Sequence, residues 1–234
     1  MKKTLIAVIV LMLVLAGCMG DAGIPSAKAS NGDWNVGDTV TFGVYEQDGI
    51  SSNGEEPIEW IVLDTDGDNA LLITRYVIDW DYFNGENGGG SKSTFSWRKS
   101  KIYGWLNGTF KKGAFTSEEQ SRLIGRTPDG ADVGDVFLLS YEEANTLFAN
   151  ESERIGYPTK AALAKGAYQW QSGGCWSWLR TPARVVNYDQ SVWDEMDWRC
   201  AVCGIDGNGG VDNWGYIVNR TRRGVRPAIW VSMP

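Results

Sequence analysis

Histidine is absent from all 234 residues, which removes serine and cysteine catalysis with a histidine base, histidine-ligated zinc and the histidine-containing iron triad. Basic residues are in deficit, with 22 Lys and Arg against 29 Asp and Glu and a formal net charge of -7. No basic field exists to neutralise phosphates, so nucleic acid is not an expected partner. No apolar run reaches the length of a stable spanning helix, and no repeat or heptad pattern marks a solenoid or coiled coil. Cysteine is scarce, at four residues. What the chain does have is 43% hydrophobic residues, 29 glycines and 12 tryptophans. That composition belongs to one turn-rich globular domain with a substantial core.

Lys2 and Lys3 precede an apolar run from Leu5 to Leu15, closed by Leu15-Ala16-Gly17-Cys18. Charge, length and small residues match a signal peptide, and the closing tetrapeptide resembles the bacterial lipobox. The resemblance implies cleavage before Cys18 and two acyl chains, such as palmitate, on that cysteine, which together anchor firmly where one chain holds marginally. Residues 1–17 are then a lipoprotein signal peptide. Residues 18–33, polar and without periodicity, are a lipidated cysteine and flexible tether. Residues 34–234 are the folded unit, held outside the cytoplasm at the cell envelope.

With Cys18 acylated, Cys175, Cys200 and Cys203 remain for at most one disulfide; a bridge and plain buried thiols both stand as readings. Cys200 and Cys203 are spaced C-x-x-C, but their flanks lack the thioredoxin context.

Along the chain, Val40, Phe42 and Val44 alternate and predict a strand over Val36 to Tyr45 with one buried face. Ile58 to Leu63 and Ala70 to Ile78 flank the turn Asp64 to Asn69 and predict a hairpin. That acidic turn hints at calcium, but Gly67 falls at the fourth loop position where an EF-hand needs the sixth, and Arg75 replaces the closing glutamate. A helix is expected over Trp97 to Leu106, stopped by Asn107-Gly108. Capping boxes at Thr116 to Glu119 and Ser140 to Glu143 open short helices, Val136 to Leu139 is a short buried strand, and Thr159 to Lys165 is a further small helix. From Cys175 the pattern returns to strands: Cys175 to Thr181, Arg199 to Ile205, Gly215 to Val218 and Val225 to Val231. Strands first, short helices in the middle third and strands last predict an α+β fold with mixed or antiparallel sheets whose terminal strands pair.

Four blocks occur in order: Phe42 to Asp48 running on through Pro57 to Asp64, Trp105 to Phe110, Trp176 to Pro182, and Gly224 to Trp230. They resemble a bacterial family of exported domains of unknown function, which implies location and architecture but no chemistry. The last two blocks are also similar to C-type-lectin-like folds of the formylglycine-generating-enzyme kind and of retroelement-diversified binding proteins, implying a C-type-lectin-like fold. Members of the first family commonly read Arg-Ser-Pro-Gly where this chain has Arg180-Thr181-Pro182-Ala183.

Trp176, Trp178 and Arg180 alternate, so in a strand they share one face, opposite Cys175, Ser177 and Leu179. With Arg226 they form either a stacking surface for a sugar or carboxylate, or a packed core with guanidinium hydrogen bonds. Between Tyr188 and Trp214, the aromatics Trp193, Trp198 and Trp214 interleave with Asp194, Asp197 and Asp206 in glycine-rich loops. These are the expected ligand contacts, with solvated turns as the plain alternative. The expected function is binding of an extracellular glycan or peptide, with an envelope assembly role toward a protein partner as the alternative. Turnover by a glycosidase-like or formylglycine-generating-enzyme-like site is not expected, and no cofactor is implied beyond the calcium hint.

Overall fold

Residues Ala70 to Ile73 are apolar without alternation, the pattern of a strand covered on both faces, and they form the central strand of the first sheet. The computed structural model describes residues 34–84, 96–128, 130–183, 201–218 and 221–234. The strands among them are β1 (Thr39–Tyr45), β2 (Glu56–Asp66), β3 (Asn69–Thr74), β4 (Tyr76–Val77), β5 (Asp79–Tyr82), β6 (Leu123–Ile124), β7 (Tyr157–Pro158), β8 (Ser177–Pro182), β9 (Ala201–Ile205), β10 (Val211–Ile217), β11 (Arg222–Val225) and β12 (Ala228–Ser232). The helices are α1 (Lys101–Trp105), α2 (Lys111–Ala114), α3 (Ser117–Arg122), α4 (Tyr141–Thr146), α5 (Glu151–Arg154) and α6 (Lys160–Ala164). One sheet runs β1-β2-β3-β12-β6, the other β10-β9-β8-β11-β5, and β4 pairs with β7. The first sheet is antiparallel, whereas β8 and β11 are parallel in the second. The fold is therefore α+β, mostly strands with short helices, and the last strand lies beside β3 as the expected pairing of terminal strands requires. No helix among the described residues is long and apolar enough to cross a membrane.

Both faces of the β3–β12 pair are packed. Ala70, Leu72, Ile229 and Val231 enter a cluster with Trp60, Phe83, Phe110 and Trp178, while Leu71, Ile73, Ala228 and Trp230 enter another with Phe137, Leu179 and Ile205. Tryptophan suits this interior only if its indole N–H finds an acceptor. Trp60 donates to the Phe42 carbonyl at 2.7 Å, Trp97 to that of Val133 at 2.9 Å and Trp178 to that of Asp81 at 2.9 Å.

Several sequence expectations change for physical reasons. The alternation of β1 breaks after Phe42, because an extra residue between Thr41 and Val44 makes a bulge in its pairing with β2. Gly43 takes φ +73°, and a Cβ there would strike the Phe115 ring and the Ala114 carbonyl. Val44 thus faces solvent and Tyr45 packs on Trp105 and Phe110 in its place. Its hydroxyl donates to Asp79, and burial together with that carboxylate pushes the phenol above its ordinary range. The helix from Lys101 does not stop at Asn107-Gly108 but continues through a π-helical turn, Leu106–Phe110, into α2. Asn107 spends its amide across the fold: Nδ2 donates to the Tyr103 and Val136 carbonyls, and Oδ1 accepts from the Val136 amide. Val136 to Leu139 is a single bridge, Phe137 to Ala228, rather than a strand, since side chains of Asn107 and Arg180 take its neighbouring backbone groups. Val225 to Val231 divides into β11 and β12 in different sheets, because Pro227 has no amide to donate. The two capping boxes form as read, and Thr159 caps α6.

The Asn107 bonds give a test. Asn107→Ala leaves the Val136 amide and carbonyl short of partners and should cost about 2–4 kcal/mol. Urea denaturation should show a lowered midpoint, and an unchanged midpoint would refute this account of the helix continuation.

Candidate functional site

The residues between α6 and β8 turn outward. Gln169 and Cys175 form an antiparallel bridge, and the turn between them closes with Trp170 N–H donating to Gly174 and Gly173 N–H to Trp170, both at 2.8 Å. This short hairpin rests on the turn from Asp206 to Gly210. Ser172 Oγ donates to the Gly207 carbonyl at 2.6 Å, and Gly174 is required because a Cβ there would overlap that same carbonyl. Asp206 organises the second turn by accepting the Asn208 and Gly210 amides at 2.8 and 2.9 Å. It is a turn-forming carboxylate as well as a member of the expected ligand loops.

The hairpin presents an aromatic row. Tyr168 is 62% exposed and Trp170 41% exposed, with ring centroids 6.1 Å apart. Trp170 meets the half-buried Trp176 edge-on at 6.2 Å, and the Arg223 guanidinium lies over the Trp176 ring at 5.1 Å. The exposed amides of Gln169 and Gln171 interleave with the rings. Sequence reasoning passed over Tyr168, Trp170 and Arg223. The signal was there in Tyr168-Gln169-Trp170-Gln171, aromatic and amide alternating ahead of a Gly-Gly turn.

The structure separates the alternating trio Trp176, Trp178 and Arg180, the first of which precedes β8. Trp176 stands at the surface row. Trp178 is fully buried, edge-on to Phe83 at 5.6 Å. Arg180 makes a two-pronged pair with Glu143, at 2.5 and 2.6 Å, donates to the Leu138 carbonyl at 2.7 Å and lies over Phe137. Thr181 Oγ1 accepts the Tyr141 amide, a role a serine hydroxyl would also fill. Arg180 and Thr181 together fasten α4 to β8. Beside the pair opens a cleft of about 430 Å³ bounded by Asp64, Ser140, Glu142 and Trp230, in which the arginine is already committed.

Arg226 is 3% exposed, its charge held by carbonyls: Nε donates to Thr74 and Nη1 to Arg154, both at 2.8 Å, with Phe148 against the guanidinium. Burial pulls its pKa down to about 10, which leaves it protonated at neutral pH. Cys175 and Cys203 are both buried, in separate clusters. Trp193, Asp194, Asp197, Trp198, Cys200 and Cys18 lie outside the described residues, as does the side chain of Trp214.

The turn at Asp64 to Asn69 is a plain hairpin. Carboxylates gather elsewhere, with Glu46, Asp48 and Glu56 within 4.8 Å of one another. Their oxygens accept the amides of residues 47–50 and of the Asn53 side chain, and the Asn53 bond first among these lowers the Asp48 pKa. This arrangement closes the loop after β1.

Fold and site define an α+β domain that carries an exposed aromatic row braced by two turns. The chain belongs to the family described as a domain of unknown function (DUF6273), whose sequence model matches residues 67–233. No curated protein and no solved structure matches it.

Two tests separate packing from binding here. Arg226→Ala strands two buried carbonyls and should cost about 3 kcal/mol, lowering the melting temperature by roughly 6–12 °C; a melting curve like that of the unsubstituted chain would contradict the structural role. Burial pushes the Cys175 thiol up to about 12. The folded state therefore holds that proton more tightly than the unfolded one, so its stabilising effect is complete below pH about 9 and is lost as pH rises toward 12. Urea titrations at pH 9, 10 and 11 should show the unsubstituted chain losing stability more steeply than Cys175→Ala, by at most about 1.4 kcal/mol per pH unit. Parallel losses would contradict it.

Proposed function

We propose that this chain is a lipid-anchored bacterial envelope protein whose C-type-lectin-like domain binds carbohydrate through Tyr168, Trp170 and Trp176. The observation that carries the reading is the exposed aromatic row with amides between its rings. Aromatic faces cover the C–H faces of sugar rings, while the side-chain amides of Gln169 and Gln171 supply hydrogen bonds for hydroxyls. A protein partner would favour a broader apolar patch; here polar residues interrupt the apolar surface. The bracing turn at Asp206 belongs to the ligand loops read from the sequence, and Trp193, Trp198 and Trp214 enter the proposal as further contacts, with Asp194 and Asp197 beside them. Cys18 carries the acyl chains, and residues 19–33 lift the domain from the bilayer.

Binding rather than turnover is supported at the cleft, where Glu143 is engaged by Arg180 and by the Ser140 amide. Both carboxylate oxygens are thereby spent on holding α4 to β8.

The test is a tryptophan-fluorescence titration of the full-length protein in mild detergent against neutral and acidic polysaccharides. Trp170→Ala should weaken the binding found by about thirtyfold, with a melting temperature changed by no more than about 2 °C. Undiminished affinity in both Trp170→Ala and Tyr168→Ala would remove this surface from consideration, and silence across every polysaccharide would overturn the carbohydrate reading.

A further inference from the structure

We infer that the sugar-binding surface continues from the hairpin across the neighbouring strand to Tyr157, so that it takes a linear glycan chain rather than a single terminal sugar; the inference rests on the carbohydrate reading. Cys175 is bridged on one side to Gln169 and on the other to Gly156, and β7 pairs onward with β4, setting Tyr157 beside Tyr76. Residues opposite one another in such a ladder share a face, and successive residues alternate. Burial sorts the two faces. Val77, Ala167 and Cys175 are buried together on the inner one, and Gly156 belongs there too, since a Cβ on it would strike Val77. The same alternation puts Tyr168 and Trp170 in one segment, Gly174 and Trp176 in the next and Tyr157 in the third on the outer face.

Tyr157 is 45% exposed. A Cβ at Gly173 would lie 3.5 Å from its ring, which places the ring beside the tip of the hairpin. Among the described residues its hydroxyl has no hydrogen-bond partner, which leaves it for a sugar hydroxyl. The segment between Trp170 and Tyr157 carries no bulky side chain at this level: Gly174 has none, and the Gly207 carbonyl takes the space a Cβ would fill. Asn208, next in that turn, is exposed. Beyond Tyr157 the row ends, because Tyr76 is half-buried under the Arg75 guanidinium, 5.8 Å from its ring centroid, and Arg75 is paired with Glu59 at 3.2 Å.

Two strand spacings separate Trp170 from Tyr157, about 10 Å, close to the repeat of a disaccharide in an extended chain. A sugar stacked on each ring therefore needs another between them, and a chain of about three units or more, laid across the strands, is the shortest that reaches both.

The experiment uses the full-length protein in mild detergent, with matched dimers and hexamers cut from cellulose, chitin, xylan and polygalacturonate. At least one hexamer should bind about tenfold or more tighter than its own dimer. Tyr157→Ala should remove that advantage, weakening the hexamer about tenfold and the dimer less than about twofold, whereas Trp170→Ala weakens both. The dimer is the control for the hairpin: it is held by the row alone, so a hairpin disturbed by the substitution would loosen dimer and hexamer together. Dimers that bind as tightly as hexamers, an advantage that persists in Tyr157→Ala, or an equal loss for dimer and hexamer overturns this inference and leaves the carbohydrate reading standing. Where a whole polysaccharide binds and the oligomers do not, Tyr157→Ala is titrated against that polysaccharide, and unchanged affinity overturns the inference in the same way. Silence of oligomers and polysaccharides alike overturns both. Should Tyr157→Ala fail to fold, Tyr157→Leu carries the comparison, since it keeps an apolar side chain in β7 and loses the flat face; an undiminished hexamer advantage there overturns the inference.

Discussion

A single buried guanidinium ties the middle of the chain to its end. Arg226 sits where the backbone leaves one sheet for the other, between β11 and β12, and its bonds reach the end of β3 at Thr74 and the end of α5 at Arg154. Arg154 in turn donates to the Gly209 carbonyl at 2.7 Å, and the turn it holds is the one under Ser172, Gly174 and Trp170. The aromatic row thus stands at the end of a relay of side chain and backbone that begins in the core. Burying a positive charge without a carboxylate is costly. Here the cost is offset by two carbonyls and an aromatic face, and the gain is a fixed junction among three segments far apart in sequence.

The second constraint is that the first sheet has no solvent face at its centre. Because β3 and β12 are packed on both sides, neither can shift by one residue without exchanging its two sets of side chains, and even that exchange would misfit large indoles for small alanines. The tryptophans make the arrangement specific as well as stable. An indole N–H must end at one acceptor, so Trp60, Trp97 and Trp178 each index a strand or helix against a named carbonyl.

These features differ in how openly the sequence declares them. The β2–β3 hairpin was legible because its turn residues and its β-branched flanks are neighbours in the chain, and the two capping boxes because four successive residues contain the whole motif. The continuation of α1 into α2 was hidden: the partner of Asn107 lies 29 positions away at Val136, so a local reading takes Asn-Gly as a stop. The phase change at Gly43 was hidden in the same way, since the need for it comes from Phe115. At the site, the importance of Trp176, Arg180 and Arg226 could be read from their blocks, but not which of them would be covered. Alternation places side chains on faces, and in a sheet packed on both sides it no longer separates core from surface.

The arginines of the final third make that last point concrete. Arg180, Arg223 and Arg226 are alike in sequence, each beside a strand block with a tryptophan nearby, yet their acceptors differ in kind. Arg180 meets a carboxylate and joins a helix to a strand; Arg226 meets carbonyls and joins two sheets. Both have spent their hydrogen-bonding capacity on the fold, so their removal is expected to register in melting before it registers in binding. Arg223 lies over the Trp176 indole, whose other neighbour, Trp170, is open to solvent. The same residue type thus meets a carboxylate, carbonyls or an indole in neighbouring segments, and what lies against the guanidinium tells the three apart.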